Sequence, residues 1–199
     1  MSDWIGNLIE QSSYLGVALL MLLETVFPPI PSEVIMAYAG LKASEGSMTL
    51  WGAIAAGTAG AMAGNIFWYW VARVIGVERI MPLADRYGRW LTVDAKELRL
   101  ADDFFDRYDR WFVLFGRMVP TIRSLVSIPA GLFGMRWRTF LLFSTIGTAG
   151  WTAGLAIAGY ALGRQFEDVE RYLGPISMAV IGLLVLIYLW RVITWKPRA

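Results

Sequence analysis

The chain alternates between uninterrupted apolar stretches and apolar stretches that prolines and charges interrupt. The uninterrupted stretches cover residues 49–76, 137–162 and 174–195. Each is long enough, as an α-helix, to cross about 30 Å of hydrocarbon, so the pattern predicts three membrane-spanning helices. The interrupted stretches cover residues 13–41 and 111–135, and neither can form one straight helix because of its prolines.

The first interrupted stretch carries two carboxylates, Glu24 and Glu33, on either side of a proline-rich break. We interpret the prolines of this break as hairpin-shaping residues: Pro28, Pro29 and Pro31. Broken backbone at membrane depth is tolerated only where it is buried in protein or lines a wet cavity. We therefore favour a hairpin that enters and leaves by the same membrane face, with one long kinked span as the alternative.

The second interrupted stretch carries two arginines, Arg117 and Arg123, in a run otherwise suited to lipid. Its hairpin-shaping residues are Pro120, Pro129 and Gly131. Between the two interrupted stretches, residues 77–110 are highly charged, and from position 94 their apolar residues recur every three to four positions. This spacing predicts an amphipathic helix at the membrane surface.

Composition supports a membrane protein. The chain is 57% hydrophobic and 17% charged, whereas about a quarter of the residues in a soluble domain are charged. We predict an all-α polytopic membrane protein with a single membrane domain, which suits 199 residues. The absence of cysteine and histidine excludes disulfides, Cys/His metal sites and histidine-dependent triads. We expect no cofactor, no metal and no nucleic-acid partner, and we leave a homo-oligomer open.

An internal duplication relates the two halves of the chain. Residues 57–64 and 147–154 agree at six of eight positions, at an offset of 90, and the same offset places Glu33 on Arg123. The pattern predicts two units, each a broken hairpin followed by a Gly-rich span. These units cover residues 13–76 and 111–163 approximately.

The distribution of basic residues predicts the orientation. If both interrupted stretches are hairpins, one membrane face carries twelve Lys and Arg residues and the opposite face carries three. The positive-inside rule places the richer face, with residues 77–110 and the C-terminus, in the cytoplasm. The N-terminus is then outside, and the two hairpins enter from opposite faces. Such an inverted repeat is typical of transporters that hold their substrate near the midplane.

Four charges lie within the interrupted stretches: Glu24, Glu33, Arg117 and Arg123. Each costs about 2.5–3.5 kcal/mol at the centre of a membrane helix unless it meets a partner or water. If the hairpin tips meet, two Glu–Arg pairs could simply hold them together. The functional alternative is that the arginines bind a phosphate bidentately while the carboxylates exchange protons. Asn65, a mid-span amide, is more typical of helix packing, and we keep it as an accessory site residue.

Several motifs resemble the DedA family, whose membrane domain is shared with the SNARE-associated Golgi proteins. These motifs are Phe27-Pro28-Pro29-Ile30-Pro31-Ser32-Glu33, Phe115-Gly116-Arg117-x-x-Pro120-x-x-Arg123, Pro129-Ala130-Gly131-x-x-x-Met135 and Gly150-Trp151. The resemblance covers roughly residues 10–165. It implies re-entrant hairpins in inverted repeat and lipid translocation in a bacterial inner membrane. The lipid is undecaprenyl phosphate or phosphatidylethanolamine, often with dependence on the proton gradient.

The resemblance also implies functional residues. The essential acidic and arginine positions of the family fall on Glu24, Glu33, Arg117 and Arg123. The chain departs from the family where many relatives have an acidic residue in the second helix and this sequence has Asn65. It also has a short Ile-Pro-Ser-Glu form of the first hairpin. Both departures leave the choice of lipid open.

We therefore predict a proton-coupled flippase of a lipid phosphate such as undecaprenyl phosphate, and not an enzyme. Arg117 and Arg123 would bind the phosphate, while Glu24 and Glu33 exchange protons. A phosphatidylethanolamine flippase or a scramblase is the alternative within lipid transport. Alternatives of other classes are a proton-coupled exporter of small cations, a scaffold protein and an intramembrane lipid-phosphate enzyme. Such an enzyme would need a serine nucleophile that has no convincing base in this sequence.

Overall fold

The structure is a computed structural model that describes residues 2–27, 32–91, 95–120 and 122–162, together with positions 186 and 190. Over these residues the chain is helical and contains no strand. Its helices are α1 (Ser2–Val26), α2 (Ser32–Ser44), α3 (Leu50–Leu91), α4 (Ala95–Gly116), α5 (Ser127–Leu132) and α6 (Trp137–Leu162). The predicted C-terminal span at 174–195 lies outside the described residues, as do Pro28, Pro29 and Pro31.

Within the described part of the chain, two helices are long and apolar enough to cross a membrane. They are Leu50–Arg79 of α3 and the whole of α6, and both coincide with predicted spans. Helix α3 continues to Leu91, but Gly76 inside it has a positive φ of 69° where the predicted span ends. A shorter apolar helix, Ser13–Val26, forms the second part of α1. It begins at Ser13, whose φ of 48° is not helical.

Helix α4 joins two regions that the hydrophobic pattern separated. It runs from Ala95 to Gly116 through the boundary that we placed after residue 110. The sequence has no proline or glycine inside this range to stop it. Phe105 and Val113, which lie about two turns apart, are buried in the same apolar cluster. The amphipathic segment and the first arm of the second interrupted stretch are therefore one helix.

The first interrupted stretch returns on itself. At one end, the hydroxyl of Tyr14 in α1 accepts a hydrogen bond from the backbone N–H of Thr49, just after α2, at 2.8 Å. At the other end, Glu24 of α1 and Ser32 of α2 both contact Arg123. Helices α1 and α2 therefore run in opposite directions between these two points. Their re-entrant placement in a membrane stays a prediction.

The two Gly-rich helices, α3 and α6, each pack against helices from both interrupted stretches. Helix α1 packs on α3 and α4 packs on α6, whereas α2 crosses to α6 and α5 crosses to α3. Glycines allow the crossings: Gly40 of α2 lies against the backbone of Ala156, and Gly131 of α5 lies against the carbonyl of Tyr69. A side chain at either glycine would overlap that backbone. This reciprocal packing suits two related units, while their inverted orientation stays a prediction.

An aromatic cluster attaches the second interrupted stretch to α3 and α6. Tyr69 stacks on Phe140 with 4.3 Å between ring centroids. The Tyr69 hydroxyl donates a hydrogen bond to the carbonyl of Met135 at 2.6 Å, and Arg73 donates to the same carbonyl at 2.9 Å. These contacts anchor the segment after α5, so that the turn between α4 and α5 lies against the polar faces of α3 and α6.

Candidate functional site

Arg117 lies immediately after α4 and is almost fully buried, with 2% of its surface exposed. Its Nε donates to the Ser144 hydroxyl at 2.9 Å. Its terminal nitrogens donate to the Asn65 amide oxygen at 2.8 Å and to the Ser127 hydroxyl at 2.7 Å. The backbone carbonyl of Arg123 accepts a further hydrogen bond. One guanidinium thus joins α3, α5, α6 and the intervening turn through neutral acceptors.

Two glycines make room for this arrangement. Gly147 of α6 faces Arg117, and a Cβ at this position would lie 2.7 Å from the Cβ of Arg117 and 2.8 Å from the carbonyl oxygen of Leu114. Gly116 ends α4, and a Cβ there would lie 2.7 Å from Val126. All three distances are shorter than non-bonded atoms tolerate. The glycine pattern of α6, which from sequence is a packing signal, therefore also determines where Arg117 lies.

Arg123 lies within the turn between α4 and α5 and is 7% exposed. It forms an ion pair with Glu24, which is 4% exposed, and it also donates to the Ser32 hydroxyl at 2.5 Å. Its guanidinium lies over the indole ring of Trp151, 5.8 Å from the ring centroid. Arg123 therefore connects the two interrupted stretches through a charged partner, which Arg117 lacks among the described residues.

Glu33 does not join this ion pair. It lies half-buried in the first turn of α2, and among the described residues it makes no ion pair of its own. Its charge does interact with that of Glu24. Among the described residues there is thus one Glu–Arg pair between the interrupted stretches, Glu24 with Arg123, where the structural interpretation expected two.

The remaining predicted residues have different surroundings. Pro120 is exposed in the turn after α4, and Pro129 is half-buried inside the short helix α5. Gly131 is buried at the crossing of α5 with α3. Asn65 is buried, accepts hydrogen bonds from Arg117 and Ser127, and so joins α3 to the second interrupted stretch. Asn65 thus has the helix-packing role that is typical of an amide in the middle of a span.

Sequence reasoning missed the hydroxyl groups that surround the arginines. Ser144, Thr148 and Thr152 are all buried and recur every four residues along α6, so they form a polar stripe on one helix face. This spacing is visible in the sequence and could have identified the face of α6 that meets the arginines. Ser32 and Trp151 have no such spacing, and they entered the sequence analysis only as members of the family motifs.

A small polar cavity lies between the arginines and the two Gly-rich helices. Its lining residues are Thr25, Ala61, Asn65, Arg117, Arg123, Ser124, Thr148 and Trp151. Most of these side chains carry hydrogen-bond donors, and both guanidiniums are positively charged. Such a lining is polar and positively charged, and the space that it encloses in this structure is about that of one water molecule.

Comparison with known proteins shows the family to which the chain belongs. The profile of the VTT domain matches residues 30–161. The chain belongs to the VTT-domain family, the DedA family. This confirms the resemblance that the motifs indicated, and this VTT-domain protein is a membrane protein. No solved structure matches its sequence.

The relatives of this VTT-domain protein include named transporters. It is 33% identical over 190 residues to undecaprenyl phosphate transporter A of Staphylococcus aureus, covering 94% of each chain. It is 31% identical over 184 residues to undecaprenyl phosphate transporter A of Bacillus subtilis, covering 92% of this chain and 87% of the relative. An alkaline phosphatase-like protein of Lactococcus lactis is 34% identical over 199 residues, covering 100% of this chain and 93% of the relative.

Proposed function

We propose that this protein moves a phosphate-bearing lipid, with undecaprenyl phosphate as the first candidate, across a bacterial inner membrane in a proton-coupled cycle. The observation that carries the proposal is the buried ion pair between Arg123 and Glu24 beside a donor-rich cavity. A buried charge pair within membrane helices marks a substrate or proton pathway by default. The two relatives named as undecaprenyl phosphate transporters support the choice of lipid.

In the proposed cycle the lipid phosphate replaces the Glu24 carboxylate at Arg123. A guanidinium binds phosphate oxygens in the same planar, charge-assisted geometry in which it binds a carboxylate. Glu24 is then buried without its charged partner, so it takes up a proton. When the phosphate leaves on the other side, Glu24 releases the proton and the ion pair forms again. Each bound phosphate therefore brings a proton with it.

Glu33 is the second proton-exchanging carboxylate in this proposal. It lies one position after Ser32, half-buried, and its charge interacts with Glu24. A carboxylate that is more exposed than Glu24 can exchange protons with water while Glu24 stays enclosed. We therefore place Glu33 between Glu24 and the aqueous phase on the proton path.

The sequence motif suggests that Arg117 and Arg123 both bind phosphate. In this proposal Arg117 has a structural role instead. Its four acceptors come from the protein itself: Asn65, Ser127, Ser144 and the carbonyl of Arg123. Binding phosphate would require it to give up bonds to buried groups, which would then be unsatisfied. Its charge still favours an anion in the cavity, which it lines. We propose that Arg117 shapes the site while Arg123 binds the substrate.

For the membrane arrangement we propose two re-entrant hairpins in inverted repeat, with residues 77–110 and the C-terminus in the cytoplasm and the N-terminus outside. The antiparallel course of α1 and α2 and the reciprocal packing of α2 and α5 support this arrangement. The acyl or prenyl tail would stay in lipid while the head group enters the cavity.

The second candidate function is that of an intramembrane phosphatase, which the name of the alkaline phosphatase-like relative suggests. The site residues favour transport. The Ser127 hydroxyl is bonded to both Arg117 and Asn65, and the chain has no histidine to act as its base. Release of inorganic phosphate from labelled undecaprenyl phosphate by purified protein would favour the phosphatase function over transport.

The experiment that tests the proposal is lipid translocation in liposomes containing purified protein, with and without an imposed pH gradient. The lipids are undecaprenyl phosphate, phosphatidylethanolamine and phosphatidylglycerol, and the variants are Arg123→Ala and Glu33→Gln. We expect flux of undecaprenyl phosphate that depends on the gradient and is lost in both variants. Flux of all three lipids without a gradient would indicate a scramblase. No flux from folded protein would contradict the proposal and favour the small-cation exporter or the scaffold.

A further inference from the structure

One donor in the cavity has no protein acceptor. The indole Nε1–H of Trp151 is buried, yet among the described residues it has no hydrogen-bond partner. Buried indole N–H groups normally find an acceptor, since this nitrogen can only donate and its burial without a bond is unfavourable. Trp151 lines the cavity and its ring lies under the guanidinium of Arg123. Trp151, with its unpartnered N–H, and Arg123 therefore both line the same small space.

A second donor group is held toward the same space. The oxygen of the Asn65 amide accepts hydrogen bonds from Arg117 at 2.8 Å and from Ser127 at 3.3 Å. These two bonds fix the orientation of the amide, so its NH₂ group lies on the opposite side. There it reaches only long contacts, at 3.5 Å to the hydroxyl of Thr148 and 3.9 Å to the sulfur of Met62. Arg117 thus orients Asn65 so that its donors remain available at the cavity.

The two strongest acceptors near this cavity already have donors. Glu24 is paired with Arg123, and the Asn65 oxygen is bonded to Arg117. A cationic ligand would be repelled by the two guanidiniums, and a neutral molecule with one oxygen, such as water, could not accept from all of these donors together. An anion with several oxygens supplies acceptors to Trp151, Asn65 and Arg123 together. The lining is therefore matched to an oxyanion.

We infer that Trp151 is a head-group-binding residue, which donates a hydrogen bond from its indole N–H to a phosphate oxygen of the lipid that Arg123 binds. This inference rests on the proposed function and adds a ligand to it. The indole ring packs against Arg123 and holds the guanidinium in place, while its N–H points to the substrate. Phenylalanine could supply the packing, but of the apolar aromatic residues only tryptophan carries this donor.

Trp151→Phe tests the inference in detergent-solubilised protein, with a short-chain prenyl monophosphate as the probe. Trp51→Phe is the matched control, because Trp51 is 77% exposed and lies far along α3 from the arginines. A hydrogen bond to a charged group contributes enough for its loss to weaken binding about tenfold or more. We expect this loss of affinity in Trp151→Phe, an unchanged thermal unfolding midpoint, and no effect in Trp51→Phe.

A second replacement separates the hydrogen bond from the shape of the ring. Benzothienylalanine at position 151 keeps the volume and stacking of the indole but has sulfur in place of N–H. We expect it to reproduce the affinity loss of Trp151→Phe. Unchanged affinity in the benzothienylalanine protein would overturn the inference about Trp151 while leaving the proposed function intact. If the unmodified protein does not bind the probe at all, both the inference and the proposed function are wrong.

Discussion

Arg117 and Arg123 are the same residue type, six positions apart and both buried, but their surroundings differ. Arg117 is bonded to hydroxyl, amide and carbonyl groups that are neutral and belong to the protein framework. Arg123 is bonded to a carboxylate, Glu24, from the other interrupted stretch. A substrate anion can replace a carboxylate ligand because the two compete for the same donors. It cannot easily replace framework groups that have no alternative partner.

The comparison shows how one sequence motif can contain two kinds of arginine. The motif Arg117-x-x-Pro120-x-x-Arg123 suggests two equivalent phosphate ligands. The turn between α4 and α5 makes them inequivalent, because the carbonyl of Arg123 accepts a hydrogen bond from Arg117. Arg117 therefore holds the turn that presents Arg123. This difference can be tested by substitution at each position and at the groups that contact them.

The largest effect is expected for Arg117→Ala. The change leaves Asn65, Ser127 and Ser144 without their shared donor in a buried site. We expect a loss of about 4 kcal/mol in the free energy of unfolding, since each unsatisfied buried group costs about 1–3 kcal/mol and these costs overlap. Thermal unfolding and size-exclusion profiles in detergent would measure it. Arg110→Ala, at a largely exposed arginine of α4, is the control and should have little effect. An Arg117→Ala protein that is folded and as stable as the unmodified protein would contradict the structural role of Arg117.

A double-mutant cycle of Glu24→Gln and Arg123→Gln should give the next largest effect. Each single change leaves one buried charge without its partner, whereas the double change removes both charges. We expect an interaction free energy of about 2 kcal/mol between the two positions. Unfolding free energies of the four proteins give this value. The same cycle with Glu24→Gln and Arg117→Gln should show much weaker coupling. Equal coupling in both cycles would mean that the two arginines are equivalent.

A smaller effect is expected at Gly147. A methyl group there would press on the Cβ of Arg117 and on the Leu114 carbonyl, so Gly147→Ala should cost about 1–3 kcal/mol of stability. Gly154→Ala on the same helix is the matched control, because no described atom lies within 4 Å of its added Cβ. Thermal unfolding midpoints in detergent compare the two variants. Equal destabilisation by both would indicate that Gly147 does not position Arg117.

The smallest effect on stability is expected for Glu33→Gln, at a half-buried carboxylate with no ion pair among the described residues. We expect a change within about 0.5 kcal/mol in the free energy of unfolding. Proton-coupled lipid flux should nevertheless fall strongly if Glu33 passes protons to Glu24. Parallel measurement of unfolding and of flux in liposomes separates these effects. A large loss of stability would indicate that Glu33, like Arg117, has a structural role.

Much of the fold follows from the sequence because membrane burial makes the patterns strong. Uninterrupted apolar runs marked α3 and α6, and prolines with charges marked both breaks. Of the four charges predicted to lie together, Glu24, Arg117 and Arg123 are buried, whereas Glu33 is half-buried and has no ion pair among the described residues. The candidate span of α3 runs to Arg79, three residues past the predicted end at residue 76, where Gly76 has a positive φ. The continuity of α4 was missed, because the change from charged to apolar residues hid a helix that no proline or glycine interrupts.

The details of the site could not be predicted because they depend on which groups meet across the bundle. Nothing in the sequence separates Glu24 from Glu33 as the partner of Arg123. Their difference arises from α1 and α2 lying antiparallel, with Glu24 inside and Glu33 near the edge. The neutral partners of Arg117 come from α3, α5 and α6, and only the polar stripe on α6 has a regular spacing. Partner choice is a tertiary property, which spacing along one helix cannot encode.

The most direct test of the distinction between the arginines is proton uptake on substrate binding. A short-chain prenyl monophosphate is added to purified protein in weak buffer with a pH indicator, and the protons bound per ligand are counted. We expect net uptake by the unmodified protein, because the phosphate releases Glu24 from Arg123, and therefore tighter binding as the pH falls. Glu24→Gln removes this uptake and leaves only the protons that the phosphate itself exchanges. Equal proton uptake in both proteins would contradict the exchange at Arg123.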